Sequence, residues 1–322
     1  MTNKLKSNAI LNFGMKMTAK KKSSAVLLCV LSGVFGLIIA STVISMNIQA
    51  KSGYVDVSDY ADTGKVLFYI LCSLHMVFSV FLSPAVAGSS ISSEREKQTL
   101  DLLLCSQMTP LEIVIGKFAS SLSWLFMVTV SLLPTYAIIY MIGGVPLSAI
   151  ICALLFIIWL MTVITAIAVL FSALIKRSVP AIIVSYVTLI GIVVLNFILT
   201  GLYYAILENL RTFAPGGTYI NLWYNSFICP VLWFNPVVAF IGILEMTMGE
   251  VSNSFLFGTI TNNMTRDLII TIAVNAAFYS ALAFGSVILA GRALDPMKAH
   301  GKEKKAIRAS RAAAKRAAAA KE

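Results

Sequence analysis

Six apolar runs, at about residues 24–48, 66–88, 118–142, 147–174, 179–207 and 268–290, dominate this 322-residue chain. Each is long enough for a helix to cross ~30 Å of hydrocarbon, which takes ~20 apolar residues. In lipid, only helices and closed barrels pair all of their backbone groups. None of the runs shows the period-two alternation of a barrel strand. The expected fold is therefore all-α and polytopic, with six transmembrane helices. Composition agrees: 58% of residues are hydrophobic and 12% charged, where soluble domains carry about 25% charge.

A net charge of +11 would suggest nucleic acid in a soluble protein. Here the charge is arranged by topology, and no nucleic-acid partner is expected. Lys4, Lys6, Lys16, Lys20, Lys21 and Lys22 precede the first run. Arg95, Lys97 and Lys117 lie between the second and third, Lys176 and Arg177 between the fourth and fifth, and ten Lys or Arg follow the sixth. The other side holds only Lys51, Lys65, Arg211 and Arg266. By the positive-inside rule both termini are cytoplasmic. The chain then divides into a basic N-terminal segment (1–23), a six-helix membrane domain (24–292) and a basic cytoplasmic tail (293–322). The expected location is the plasma (inner) membrane of a prokaryote. The first run is too long for a signal-peptide h-region and no A-x-A site follows, so no cleavable signal is expected.

Within the outer connection, 208–267, the stretch from Cys229 to Met248 is nearly long enough to span. A seventh span would put the ten-charge tail outside, against the strongest topological signal. Asn235-Pro236 reads as an N-cap followed by proline at the first helical position. A short re-entrant or interfacial helix from Pro236 to Met248 is expected, with Trp223, Tyr224, Trp233 and Phe234 as an interfacial belt. Leu5, Ile10, Phe13 and Met17 approximate one face of an interfacial N-terminal helix. The Ala/Lys/Arg-rich tail is helix-prone. Anionic lipid headgroups, a partner protein and disorder are its three readings. Asn263-Met264-Thr265 matches a glycosylation sequon and points to no function.

The spans hold little acid–base chemistry. His75 is the one clearly ionisable group well inside a run, and Glu208 sits at the outer end of the fifth. Ion-driven carriers place ionisable groups within the membrane. A lone histidine is more often a packing residue. Thr129, Ser131, Thr135, Tyr136, Thr162 and Thr165 can hydrogen-bond between helices or line a path. Cys29, Cys72, Cys105, Cys152 and Cys229 are odd in number and lack CxxC spacing, so neither a disulfide framework nor a metal site is expected. No GxxxxGK[ST] or HExxH motif occurs, and no GxSxG. No cofactor is expected, and energy for any work has to come from another chain.

The one charged, well-punctuated internal stretch is "SSEREKQTLDLLLCSQMTPLEIVIGK", from Ser92 to Lys117. Ser93 and Glu96 have capping-box spacing, so a helix is expected from about Glu94 to 107. Leu100, Leu103 and Leu104 form its apolar stripe, which has to pack against the bundle or a partner. Glu94, Arg95, Lys97 and Asp101 decorate the rest. A second box follows: Thr109 caps, Pro110 takes the first helical position, and Glu112 sits third. From there the helix can run through Gly116-Lys117 into the third span.

This stretch resembles the signature of ABC type-2 exporter permeases. Glu94, Glu96, Thr99, Leu100, Leu103, Pro110, Glu112, Ile113, Gly116 and Lys117 match its pattern of acidic start, Thr-Leu pair, leucine stripe, Pro-x-Glu-Ile turn and Gly-Lys. That family often has glycine just before the Thr-Leu pair. This chain has Gln98, which is expected to make the helix more regular. The resemblance extends over about residues 10–292. It implies two paired permease subunits, in a homo- or heterodimer, with separate ABC ATPase subunits docked beneath. ATP would be bound by those partners, and the 94–107 helix would be the coupling helix. The implied coupling residues are Glu94, Glu96, Lys97, Thr99, Leu100, Leu103, Leu104 and Pro110, with Lys176 and Arg177 as a secondary ATPase contact. Other readings stand beside it: a non-transporting sensor or assembly scaffold with a docking helix, and a membrane enzyme built on His75.

Overall fold

The computed structural model describes residues 22–51, 57–105, 109–212, 231–249 and 264–294. The expected N-terminal interfacial face, the basic tail, Trp223, Tyr224 and most of the outer connection lie outside the described residues. The elements are helices and one 3₁₀ turn: α1 (Lys22–Lys51), α2 (Val57–Ala87), α3 (Ser92–Glu96), α4 (Leu100–Leu104), α5 (Pro110–Ile142), α6 (Leu147–Leu174), α7 (Ser178–Thr212), the 3₁₀ turn Leu232–Phe234, α8 (Pro236–Met248) and α9 (Met264–Ala293). Six of them are long and apolar enough to cross a membrane, and the chain is a multi-pass membrane protein. The second span is longer than expected. It includes Ala61 to Lys65, where exposed Asp62 pairs with Lys65 at 3.4 Å.

α6 is the central helix. It packs against α2, α5, α7, α8 and α9. Its sequence suits that place: Ala149, Ala153, Ala166, Ala168 and Ala173 are buried to 2% exposure or less. Small residues let neighbouring helices approach where no hydrophobic effect drives association in lipid. Around it, Phe35 of α1, Leu67, Phe68 and Leu71 of α2, Leu125, Leu132 and Tyr136 of α5, and Phe240 and Leu244 of α8 form one core. α7 is the opposite case. Only 6% of its most apolar window is buried, against 56% for α6.

One end of the bundle gathers the end of α2, the start of α5, the α6–α7 turn and the end of α9. Ile91, Leu100, Val114, Ala173, Ala290 and Leu294 share a core cluster there. At the opposite end the α5–α6 turn is pressed against α2. Gly143 and Gly144 have φ of 98° and 79°, left-handed values that disfavour any side chain. A Cβ on Gly144 would sit 2.1 Å from the Ala61 carbonyl oxygen, and one on Gly64 equally close to that of Gly143.

α8 has the expected bounds and caps. Asn235 accepts from the Val237 amide at 2.9 Å, Pro236 occupies the first turn, and Gly249 ends the helix in the left-handed conformation. Its 13 residues reach about 20 Å at ~1.5 Å each, short of a span. Phe240 stacks on Phe156 at 5.4 Å, and Pro236 and Val237 share a cavity wall with Leu160, Val163 and Ile167 of mid-α6. The helix is therefore re-entrant: its N-terminus lies at mid-length of the bundle. The expected belt position of Trp233 and Phe234 is corrected accordingly. Their carbonyls are held within the bundle, by Asn275 Nδ2 (3.1 Å) and Tyr279 Oη (2.9 Å) of α9, while Asn196 of α7 donates to the Val231 carbonyl at 3.0 Å. Non-helical backbone at membrane depth requires such partners.

Gly144→Ala should lower stability by about 1–3 kcal/mol, the usual cost of overpacking. Gly36→Ala, with nothing within 4 Å of the added carbon, should leave it unchanged or slightly raised. Thermal unfolding of the purified protein in detergent reads both.

Candidate coupling site

The site is built on α3, a helix of only five residues. The expected capping box at Ser93 does not form. Ser93 lies inside the helix, its amide bonded to the Ser89 carbonyl at 3.0 Å, and the N-cap position is Ile91, without a side-chain cap. The amides are satisfied from another span instead. Ser172 Oγ, near the end of α6, accepts from the amides of Ile91 (2.9 Å) and Ser92 (3.0 Å). Ile91 and Ser92 are buried to 1% and 0% exposure. An amide left unpaired in such a place costs about 1–3 kcal/mol, so one hydroxyl meets two such demands.

The expected continuous helix from Glu94 to 107 is also corrected: it breaks after α3. Gln98 has φ 57°. Its amide bonds the Arg95 carbonyl at 3.1 Å and the Thr99 amide bonds that of Glu94 at 2.9 Å. This is the Schellman pattern, in which the left-handed residue is usually glycine. Gln98 therefore does not make the helix more regular; it occupies a turn position where glycine is preferred. Thr99 secures the turn by donating to the Glu94 carboxylate. The turn aims Leu100 into the core cluster with Ile91, Val114 and Ala173. Leu103 is half-buried, and the side chain of Leu104 lies outside the described residues.

Three consecutive side chains of α3 then reach three different spans. Glu94 accepts from Lys117 Nζ of α5 at 2.8 Å. Arg95 donates to the carbonyls of Ala173 (3.2 Å) and Ile175 (3.5 Å) at the C-terminal end of α6. Glu96 accepts from the amide of Ser178 at 3.0 Å and, with its other oxygen, from the Ser178 hydroxyl. The signs are right for each terminus: a cation at a helix C-terminal end and an anion at an N-terminal end complement the helix dipole. The second expected box forms in full. Thr109 Oγ1 accepts from the Glu112 amide at 3.3 Å and Glu112 from the Thr109 amide at 2.9 Å. Pro110 sits at the first position of α5.

The two predicted patches are thus one surface. Glu96 of the first touches Ser178, directly after Lys176 and Arg177 of the second. Lys97, Asp101, Lys176 and Arg177 are exposed, whereas Glu94, Thr99 and Leu100 are turned into the molecule. Ser172, Arg95 and Ser178 were missed by sequence reasoning. Arg95 sits in the same charged run, but a serine at the end of an apolar helix carries no signal of a partner 80 residues away.

The polar groups within the spans are mostly satisfied locally. Ser131 and Thr162 return to carbonyls of their own helices. Thr129 also reaches the Met161 sulfur at 3.8 Å. His75 is fully buried, its Nδ1 3.0 Å from Tyr136 Oη and its ring edge-on to Phe35. Among the described residues no cluster of three or more His, Cys, Asp or Glu could hold a metal.

Six spans, a re-entrant helix and a capped junction joining three spans at one end describe a membrane permease domain. The sequence matches the family of the ABC-2 family transporter protein over residues 7–290, and the chain belongs to that family. It is a transmembrane component of an ABC transporter. No curated protein matches it.

Gln98→Gly should raise stability by about 0.5–1 kcal/mol, the penalty that a side chain carries in a left-handed position. Gln98→Val should lower it. Paired thermal unfolding curves decide, and a Gln98→Gly protein less stable than the parent would contradict the turn assignment.

Proposed function

We propose that this chain is the permease subunit of an ATP-driven exporter in the plasma membrane of a prokaryote. In this reading the end bearing α3 and α4 faces the cytoplasm and docks a separate ATP-binding subunit. Lys97, Asp101, Leu103, Lys176 and Arg177 form the contact. Glu94, Glu96, Thr99 and Leu100 hold it in shape, and Pro110 starts the span that follows. The observation that carries the proposal is the junction itself: a short exposed helix pair tied to α5, α6 and α7, suited to passing a push into the bundle. Positive charge gathers on the same end, in Arg95, Lys97, Lys117, Lys176, Arg177 and Arg292, as the cytoplasmic side of a membrane protein requires. ATP binds the partner, and this chain carries no catalytic step.

A second permease subunit completes the path. The sparse burial of α7 supports this, since Val179, Ile183, Val187, Ile190 and Val194 are 48% or more exposed. Membrane lipids cover whatever that partner leaves open.

Co-expression with a cognate ABC ATPase subunit, expected in an adjacent reading frame, should yield a complex that hydrolyses ATP, whereas this chain alone should not. Leu103→Asp and Lys97→Glu should each release the ATPase or strongly reduce its recovery. Normal recovery in both would move the contact elsewhere. ATP-dependent flux in proteoliposomes, outward with respect to the α3–α4 end, separates an exporter from a non-transporting sensor or scaffold.

A further inference from the structure

We propose that α3 is a branched tie with two separable arms. Glu94 carries motion of the docking element into α5 through Lys117. Arg95 and Glu96, with Ser172 and Ser178, carry it into α6 and α7. This rests on the docking reading above and adds to it a route and the positioning residues Arg95, Lys117, Ser172 and Ser178.

Chain connectivity alone joins α3 to α2 and, through α4, to α5. It makes no link to the fourth and fifth spans. That link is made entirely by side chains, and all of it lies at helix ends. Ser172 of α6 holds the first amides of α3. Arg95 of α3 holds the last carbonyls of α6. Glu96 holds the first amide and the hydroxyl of α7. The exchange is reciprocal, so α3 cannot tilt away from the α6–α7 turn without stripping the buried amides of Ile91 and Ser92 of their partner and parting the more open Arg95 and Glu96 contacts. The cost of an unpaired buried group makes the assembly move as one piece. Leu100, packed with Ala168, Val169 and Ala173 of α6, prevents sliding along the contact. The Glu94–Lys117 arm runs elsewhere: its ion pair joins α3 to α5.

The test reads each arm by itself and needs no knowledge of the cargo. Leu202→Cys reports on α7 and Met141→Cys on α5. Both positions are exposed and lie at the opposite end from α3. In the complex with the ATPase, and with the five native cysteines replaced by alanine, the labelling rate of each introduced cysteine by a membrane-impermeant maleimide is compared before and after trapping with ATP and vanadate. The parent should respond at both positions. Ser178→Ala and Glu96→Gln should lose the response at position 202 and keep it at 141. Glu94→Gln should do the reverse. Ser178→Thr, which keeps the hydroxyl that Ser178→Ala removes, should restore the response at 202. A Glu96→Cys/Ser178→Cys disulfide should preserve it, because a fixed tie still transmits. The ATPase should copurify with the Ser178 variants, which lie outside the docking contact.

General damage to the fold would suppress both reporters together, which overturns the branched tie. So does a full response at 202 in Ser178→Ala, or a block by the disulfide. Failure of the ATPase to copurify with the parent overturns the docking reading itself, and the tie's role with it. A parent complex that binds the ATPase yet responds at neither position overturns the tie alone.

Discussion

Every helix end leaves about four amides or four carbonyls without partners inside the helix, and a membrane protein has little water with which to satisfy them. Much of this molecule follows from where those partners are found. At the α3 junction they are side chains from other helices: Ser172 for the start of α3, Arg95 for the end of α6, Glu96 for the start of α7. At mid-depth the same demand is met for the re-entrant segment by Asn196, Asn275 and Tyr279. Hydrogen-bonding needs that belong to local backbone thus become long-range bonds between spans.

That solution gives the bundle an uneven stiffness. Around α6, alanines permit close packing, and the junction adds polar bonds, of which those from Ser172 are buried. Around α7, by contrast, one short cap at Glu96, a bond from Tyr186 to the Phe81 carbonyl and a bond from Asn196 to Val231 hold an otherwise open helix. A span fastened at its end and left bare along its length is suited to moving against a neighbour or to receiving one. The carboxylates of Glu94 and Glu96 are meanwhile occupied with internal work. What this surface offers outward is Lys97, Asp101, Lys176 and Arg177, so a charged motif in sequence and a charged surface in space are different things.

Some of this was legible in the chain. The six spans follow from run length against bilayer thickness. The Thr109–Pro110–Glu112 start and the Asn235–Pro236 start each depend on residues within three positions of one another, and both form as read. The α8 helix was legible in extent but not in depth, because length and caps do not say whether a helix lies on a surface or enters the bundle. Trp233 and Phe234 were misplaced for that reason: aromatic character suggests an interface, but the partners of their carbonyls lie more than 40 residues away, in α9. Ser93 and Glu96 failed in the opposite sense. Their spacing suited a box, but Ser178 offered Glu96 an amide and a hydroxyl together, and Ser172 had already taken the amides at the start of α3.

By itself, then, the sequence determined the class of fold, the number of spans and the family signature, because hydrophobic length and adjacent caps act over a few residues. Only the tertiary structure decided that the stretch from Glu94 to 107 breaks at Gln98, that Glu94, Arg95 and Glu96 serve three spans, and that α8 dives inward. Those outcomes depend on which donors and acceptors the packed helices bring within reach, and partners 80 residues apart leave no pattern along the chain.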